Sequence, residues 1–187
     1  EYEGINSFAT LLRAVNKVEG IERIRFVSPH PKDFTDDVIE AIRDCEKVCK
    51  HMHLPLQSGS SRILQVMNRH YDKEQYLEIV NKLRKEIPDV AITTDIIVGF
   101  PGETDEDFLE TLDVVKQVEY DSAFTFIYSK RIGTPAALME DSIDEETKKE
   151  RLARLNDVIN KYALENNKKY LDKCVDVLLE DYSEKEG

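Results

Sequence analysis

Apolar residues return along this chain with two alternating spacings. In four stretches they recur every three or four positions, the spacing that places side chains on one face of a helix. These stretches are residues 8–18, 38–45, 77–83 and 108–118. Short apolar runs of strand length alternate with them, at residues 21–27, 51–56, 90–98 and 122–128. The alternation predicts right-handed β-α-β units and a parallel sheet, either in part of a barrel or in an open doubly wound fold.

Residue types at the ends of these stretches support the helix limits. Capping residues precede four of the helices: Asn6 or Ser7, Thr35, Asp72 and Thr104. Gln75 lies three residues after Asp72 and completes a variant of the capping box. A long, charge-rich helix is predicted over residues 142–170, and the apolar run at 174–182 predicts a strand that begins a new unit.

The chain carries an excess of acid. Asp and Glu number 38 against 26 Lys and Arg, which gives a formal net charge of −12. Proteins bind nucleic acid mostly by neutralising its phosphates. A parent protein that acts on RNA must therefore bind the RNA through another domain. The sequence has no apolar run long enough to span a membrane and no leader pattern at its start. We therefore expect a cytoplasmic protein that does not associate with a membrane.

The cysteines suggest neither disulfides nor a metal site. Cys45, Cys49 and Cys174 are an odd number without paired spacing, which fits a reducing compartment. Cys45 and Cys49 would share a face if they lay on one helix, but no third cysteine nearby completes a ligand set. We therefore interpret them as structural cysteines and predict no metal ligands in this chain.

Candidate binding residues lie in the loops that follow the strands, because parallel α/β folds bind ligands at the carboxyl ends of their strands. Residues 54–61 read LPLQSGSS, in which Gln57 and Ser58 precede a helix start able to hold a carboxylate, phosphate or ribose oxygen. Residues 94–104 read TDIIVGFPGET. This second loop contains Asp95, the turn residue Gly99 and Glu103. Glu103 and the acids that follow it, Asp105, Glu106 and Asp107, concentrate negative charge at the next helix start, which disfavours phosphate and favours a cation or hydroxyl groups.

A third loop, residues 126–137, reads FIYSKRIGTPAA and ends an aromatic strand in a basic pair. Arg131 could bind a carboxylate with its guanidinium fork, or form a salt bridge within the protein. The other two loops also have structural interpretations. Ser60 could be a plain helix cap, and Asp105 and Asp107, which follow the second loop, complement a helix dipole. His51 and His53 alternate along a strand and raise the idea of a metal-dependent hydrolase, but His51 starts its strand at the end opposite the loops.

These segments together resemble the radical-SAM methylthiotransferases. The resemblance rests on residues 53–60 (HLPLQSGS), 67–69 (MNR), 95–104 (DIIVGFPGET) and 128–137 (YSKRIGTPAA), and it covers nearly the whole chain. It is strongest with the branch that modifies an isopentenylated adenosine of tRNA. The fold it implies is α/β, a partial parallel (β/α) TIM-type barrel that lacks its first strands, over residues 1–170. Residues 171–187 would begin the small RNA-binding barrel, TRAM-like, that ends these enzymes.

The resemblance implies sulfur insertion and methylation with S-adenosylmethionine and two [4Fe-4S] clusters in the full-length protein. The family's Cys-x3-Cys-x2-Cys motif would lie upstream of Glu1, so the cluster ligands are absent from this chain and the isolated fragment is expected to be inactive. The residues that would bind the cofactor are Gln57, Ser58, Asp95, Gly99, Glu103 and Arg131. The tRNA would be held through regions mostly outside this chain, and no catalytic residue is assigned.

Two other interpretations stay open at this point. The fragment could be an inert scaffold that associates with itself through open sheet edges, because an unpaired edge recruits partners. A metal-dependent hydrolase barrel built on His51 and His53 is the second. If the barrel interpretation is right, four strands should form a parallel sheet in chain order, with the three loops on one face.

Overall fold

The structure is a computed structural model that describes residues 5–27, 31 and 34–179. From the second helix onward, each strand is followed by one or more helices. The helices are α1 (Phe8–Asn16), α2 (Asp36–Asp44), α3 (Ser61–Val66), α4 (Lys73–Glu86), α5 (Asp105–Val118) and α6 (Glu145–Lys168). The strands are β1 (His51–His53), β2 (Ala91–Val98) and β3 (Ser122–Ile127), and a short 3-10 helix spans Pro135–Leu138.

The three strands form one parallel sheet in chain order, β1-β2-β3. His51 pairs with Ala91 at the start of β1, and β2 pairs with β3 from Thr93 to Val98. The sheet is open, because β1 and β3 lie at opposite edges. The α/β fold with a partial parallel sheet that was predicted from the sequence is confirmed.

The strand predicted at residues 21–27 is wrong in extent. The structure reduces it to one parallel bridge between Ile24 and Val48. The backbone N–H of Ile24 donates to the Lys47 carbonyl at 2.7 Å, and its carbonyl accepts from Cys49 N–H at 3.0 Å. The segment still takes the place of a first strand beside β1. Its other side pairs with no strand among the described residues, so no second ladder extends it.

The two faces of the sheet differ in what covers them. On one face, Ile92, Thr94, Ile96 and Val98 of β2 are buried in the core with residues of the helices. The helix α6 packs on this face, where Thr125 Oγ1 donates to Asn156 at 2.7 Å. We call the opposite face the inner face; it carries His53, Thr93, Asp95 and Ile97 and the aromatic residues of β3, Phe124 and Phe126, which are 62% and 51% exposed. In a barrel this would be the interior.

Helix starts follow the predicted caps. Ser7, Asp72 and Thr104 each accept a hydrogen bond from the backbone of the first helical turn and complete a capping box. Thr35 is the N-cap of α2, although its hydroxyl donates to Asp37 instead of capping the backbone. Helix α6 starts after Asp144, which caps it, slightly inside the predicted 142–170.

The strand predicted at 174–182 is not formed in its described part. Residues 174–179 are exposed and pair with no described strand, and 180–182 lie outside the described residues. An isolated strand has no ladder partner to satisfy its backbone, which explains the difference. Within the described ranges, none of the helices has the length and apolar content that crossing a membrane would require.

Candidate functional site

A cavity of about 800 Å³ opens where the strands end at their carboxyl side. Its polar lining includes Gln57 after β1, Asp95 within β2 and Arg131 after β3. Residues 66–69, which begin at the last residue of α3, and residues 134–136, at the start of the 3-10 helix, also line the cavity. The three loops therefore lie on one face of the sheet, as predicted from the sequence.

Gln57 lines the cavity because the backbone turns away from the strand direction at this residue. Its φ is +67°, a conformation that few non-glycine residues adopt. Its N–H donates to the Asp95 carbonyl at 2.8 Å, and its carbonyl accepts from Ile97 N–H at 2.9 Å. Ser58 comes next and is fully buried, with its hydroxyl accepting from Ser60 N–H at 3.2 Å. Ser58 helps to shape the loop and is not part of the cavity lining.

The first loop is anchored on α5 by a close backbone approach. A Cβ atom on Gly59 would lie 2.4 Å from the Cα of Thr111, so this position accepts only glycine without a backbone shift. The N–H of Gly59 donates to Thr111 Oγ1 at 2.9 Å. Ser60 Oγ donates to Asp107 Oδ1 at 2.6 Å, and Arg62 adds a charged pair with the same carboxylate. The loop that carries Gln57 is thus fixed to the helix that follows the second loop.

Asp107 connects these two loops electrostatically. Burial would raise the pKa of its carboxyl, but hydrogen bonds from Arg62, Ser60 and Thr104 outweigh burial and hold this pKa far below its ordinary value. Asp107 was interpreted from the sequence as a complement of the helix dipole. It has that position in the first turn of α5, and it also ties the two loops together.

Glu103 belongs to the second loop but does not line the cavity. One of its carboxylate oxygens accepts from Gly99 N–H at 3.0 Å and from Arg151 of α6 at 2.7 Å. The Glu103 and Arg151 side chains are only 1% and 6% exposed, and burial raises the pKa of Glu103. Gly99, with φ +70°, also stays out of the lining, whereas the adjacent Phe100 forms part of it. Glu103 and Gly99 therefore shape the turn that presents Phe100.

Asp95 and Arg131 face the cavity with charged groups available. Asp95 Oδ2 lies 3.3 Å from His53 Nε2, and the Asp95 side chain is 28% exposed. Arg131 is exposed and forms no ion pair with any residue of the described ranges. The internal salt bridge considered for Arg131 is thus not observed within those ranges.

Tyr128 is a cavity residue that the sequence interpretation did not single out. Its hydroxyl is buried and has no hydrogen-bond partner among the described residues. Its ring packs edge-on against Phe100 with centroids 5.1 Å apart, so the cavity has an aromatic wall. The signal was present in the alternation of Phe124, Phe126 and Tyr128 along β3, which places all three on the inner face.

The histidines and cysteines do not gather into a metal site in the part of the chain that is described. No group of three or more His, Cys, Asp or Glu side chains there is arranged to hold a metal ion. Cys45 is buried at the end of α2, Cys49 is half-buried and Cys174 is exposed. His51 and His53 both lie on the inner face and hydrogen-bond to Thr93.

Comparison with known proteins places the chain in a family. Residues 5–115 match the model of the Radical SAM superfamily. The chain belongs to the radical SAM superfamily. The fold agrees with this assignment: coproporphyrinogen III oxidase from Escherichia coli, described as a radical SAM enzyme, superposes with a TM-score of 0.59 over 71% of this chain and 31% of its own, at 23% identity.

Much more similar sequences occur among curated radical SAM relatives. The tRNA-2-methylthio-N(6)-dimethylallyladenosine synthase of Clostridium tetani is 64% identical over 174 residues, which is 93% of this chain and 38% of the relative. The synthase of the same name from Acetivibrio thermocellus is 60% identical over 177 residues, 95% of this chain and 37% of the relative. The chain spans a little over a third of the length of these relatives.

Proposed function

We propose that this chain is part of a tRNA methylthiotransferase, a tRNA-2-methylthio-N(6)-dimethylallyladenosine synthase. The whole enzyme would add a methylthio group to an isopentenylated adenosine next to the anticodon by radical SAM chemistry. The observation that carries this proposal is the 64% identity with the Clostridium tetani synthase over 93% of the chain. The cavity at the carboxyl ends of the strands supports it, because that is where parallel α/β enzymes bind their ligands.

The cavity residues fit S-adenosylmethionine, which carries a sulfonium, an ammonium, a carboxylate and a ribose. Asp95 offers a carboxylate for the ammonium or the ribose hydroxyls, and Gln57 offers an amide. Arg131 matches the ligand's carboxylate in charge and geometry. The buried hydroxyl of Tyr128, which lacks a partner in the described structure, could hydrogen-bond to the same ligand. When bound, S-adenosylmethionine supplies the radical that gives the superfamily its name.

The other proposed binding residues act through the loops. Ser58, Gly99 and Glu103 fix the turns that carry Gln57 and Phe100, so their contribution to binding is indirect. This narrows the six residues expected from the sequence to three that line the cavity, Gln57, Asp95 and Arg131.

The iron-sulfur clusters do not fit the residues of this chain. A [4Fe-4S] cluster takes about four thiolate ligands, and the cysteines here differ in burial and form no ligand group in the described structure. The two clusters of the proposed full-length enzyme would be held by cysteines outside this chain.

Substrate and location follow from the same proposal. The tRNA would be bound mainly by regions outside this acidic chain, and the enzyme would act in the cytoplasm. Residues 1–170 would belong to the barrel domain, and residues 171–187 would begin the RNA-binding barrel. Self-association through the open sheet edges is a further proposal, because β1 and β3 are both edge strands of the observed sheet.

The proposal is tested with the full-length protein that contains this chain, expressed in a bacterial strain that lacks the corresponding synthase. Mass spectrometry of tRNA nucleosides should detect the methylthio product with the wild-type protein. Asp95→Asn and Arg131→Gln should each lower its formation by about tenfold or more, since each removes a charged hydrogen-bond partner.

Matched controls separate the cavity from general effects on charge. Asp89→Asn and Lys130→Gln remove one negative and one positive charge from exposed residues outside the cavity and should leave product formation near wild type. No product from the intact protein would overturn the proposed activity. Full activity of both cavity variants would overturn the assignment of the site.

A further inference from the structure

A line of hydrogen-bonded polar side chains crosses the inner face of the sheet. Arg25 Nη2 lies 3.3 Å from His51 Nδ1, and His51 Nε2 lies 3.3 Å from Thr93 Oγ1. Thr93 Oγ1 lies 3.0 Å from His53 Nδ1, and His53 Nε2 lies 3.3 Å from Asp95 Oδ2. The line runs from the amino end of β1 to the cavity, where Asp95 is part of the lining.

With both histidines neutral, the two ends of this line fix the position of every proton along it. A carboxylate only accepts, so His53 Nε2 must carry the proton that it donates to Asp95. The Nδ1 atom of a neutral His53 is then an acceptor, and Thr93 must donate its hydroxyl proton to it. At the other end, Arg25 only donates, so His51 Nδ1 accepts and His51 Nε2–H donates to Thr93. All four hydrogen bonds are satisfied with both histidines neutral in the Nε2–H form.

The surroundings of the two histidines agree with this assignment. Burial and the nearby Arg25 lower the pKa of His51, while Asp121 raises it by less. The His53 side chain is 13% exposed and packs against the ring of Phe124, with centroids 6.1 Å apart. His53 thus has one ring nitrogen directed to Thr93 and the other to the cavity carboxylate.

We infer that His53 is a positioning residue, which holds the carboxylate of Asp95 through one oxygen and leaves the other oxygen for a ligand in the cavity. Oδ2 accepts from His53, and Oδ1 has no hydrogen-bond donor among the described residues. The His53 ring is held in this orientation by the hydrogen bonds that run from Arg25 through His51 and Thr93. For the identity of the ligand, this inference rests on the proposed function; for the hydrogen-bond line itself, it does not.

The line is tested first without any ligand, by measuring the nitrogen-15 shifts of the histidine rings in the uniformly labelled chain at pH 8. His51 and His53 should each show the limiting shifts of a single Nε2–H tautomer. His70, which is exposed, is the internal control and should show shifts averaged between tautomers. Thr93→Val should move the His53 shifts toward that average. A neutral His53 with its proton on Nδ1, or a charged His53 at pH 8, would overturn the inference.

Binding measurements then test what the line does. The probe is S-adenosylhomocysteine, titrated into the chain by calorimetry after circular dichroism has shown each variant folded. His53→Leu removes the donor to Asp95 and should weaken binding roughly three- to tenfold. His53→Gln places an amide N–H near the position of Nε2 and should restore most of the affinity.

These outcomes separate the inference from the proposed function. If the wild-type chain does not bind the probe, the proposed cofactor site fails, and the tautomer measurement still decides the inference. If wild type binds and His53→Leu binds equally well, the positioning role is wrong while the cofactor site stands. Equal losses in His53→Leu and His53→Gln would also contradict the inference, because the retained donor would then have no effect.

Discussion

Gly99 and Gly102 have positive φ values in the same turn, +70° and +83°, but they differ in their surroundings. A Cβ atom on Gly99 would lie 2.6 Å from Cγ of Lys148, while one on Gly102 would meet nothing within 4 Å. We predict that Gly102→Ala costs about 1–2 kcal/mol, the price of the backbone conformation alone. Gly99→Ala should cost about 1–3 kcal/mol more, because Lys148 must also move. Urea unfolding of both variants measures the difference, and equal losses would contradict the close contact.

Asp107 gives the chain a predictable dependence on acid. Its pKa is held low in the folded protein by Arg62, Ser60 and Thr104, so its contribution to stability is complete above the ordinary aspartate pKa of about 3.9 and is lost as the pH falls below it. Glu103 has a raised pKa and acts in the opposite direction, since its contribution is lost as the pH rises through the folded value. Asp107→Asn should therefore lower stability at pH 7 by about 1–3 kcal/mol and flatten the decline toward pH 3.

The matched control for Asp107 is Glu106→Gln, an exposed carboxyl in the same helical turn. It should change stability by less than about 1 kcal/mol and leave the acid dependence unaltered. Unfolding free energies measured from pH 7 to pH 3 compare the three proteins. An Asp107→Asn variant with the wild-type acid dependence would show that other carboxyls control it.

At this scale, the sequence predicts residues whose partners are local. Asp72 and Gln75 meet within one turn, and their capping box is confirmed. Arg131 was predicted from its position in the loop after a strand, and Asp95 from the segment that leads out of β2 into the second loop. Glu103 could not be interpreted in the same way, because its partner Arg151 lies 48 residues further along the chain and only the packing of α6 brings it near. A carboxylate in a loop looks the same in sequence whether it meets a ligand or an arginine.

Helix α6 covers the face of the sheet that lies opposite the cavity. Leu155 and Ile159 are buried in the core. On the same helix, Arg151 donates to Glu103 in the turn that carries Phe100, and the side-chain carbons of Lys148 lie against Gly99 of that turn. Leu155→Ala should destabilise the chain by about 2–5 kcal/mol, since it leaves a void in a fully buried position. Leu164→Ala on the same helix, where the side chain is 61% exposed, should cost less than about 1 kcal/mol. Thermal unfolding of the pair tests whether α6 is part of the core, and equal shifts would contradict it.

Element prediction succeeded where the pattern alone sets the structure and failed where a neighbour is needed. β2 has core residues along one face and an adjacent strand at each edge, so its apolar run forms as predicted. Residues 21–27 have the composition of a strand but find only Val48 as a partner. Residues 174–179 find none in the described structure. Composition predicts that a segment can form a strand, and pairing decides whether it does.

The charge of the whole molecule predicts its behaviour toward RNA. With a net charge of −12, the isolated chain should bind an anticodon stem-loop no more tightly than about 1 μM at physiological salt, in the range of non-specific association. Fluorescence anisotropy over a series of salt concentrations measures this. Sub-micromolar binding that weakens steeply with salt would show that a basic surface of this chain grips the tRNA.

The central claim is that the three loops at the carboxyl ends of the strands form one site for S-adenosylmethionine. The most direct test is to map S-adenosylhomocysteine binding on the labelled chain by chemical-shift changes at saturation. We predict that the largest changes fall on Gln57, Asp95, Tyr128 and Arg131, with none at Lys82 and Glu86, which line a smaller pocket elsewhere on the surface. Changes centred on that smaller pocket, or none anywhere at millimolar ligand, would contradict the account.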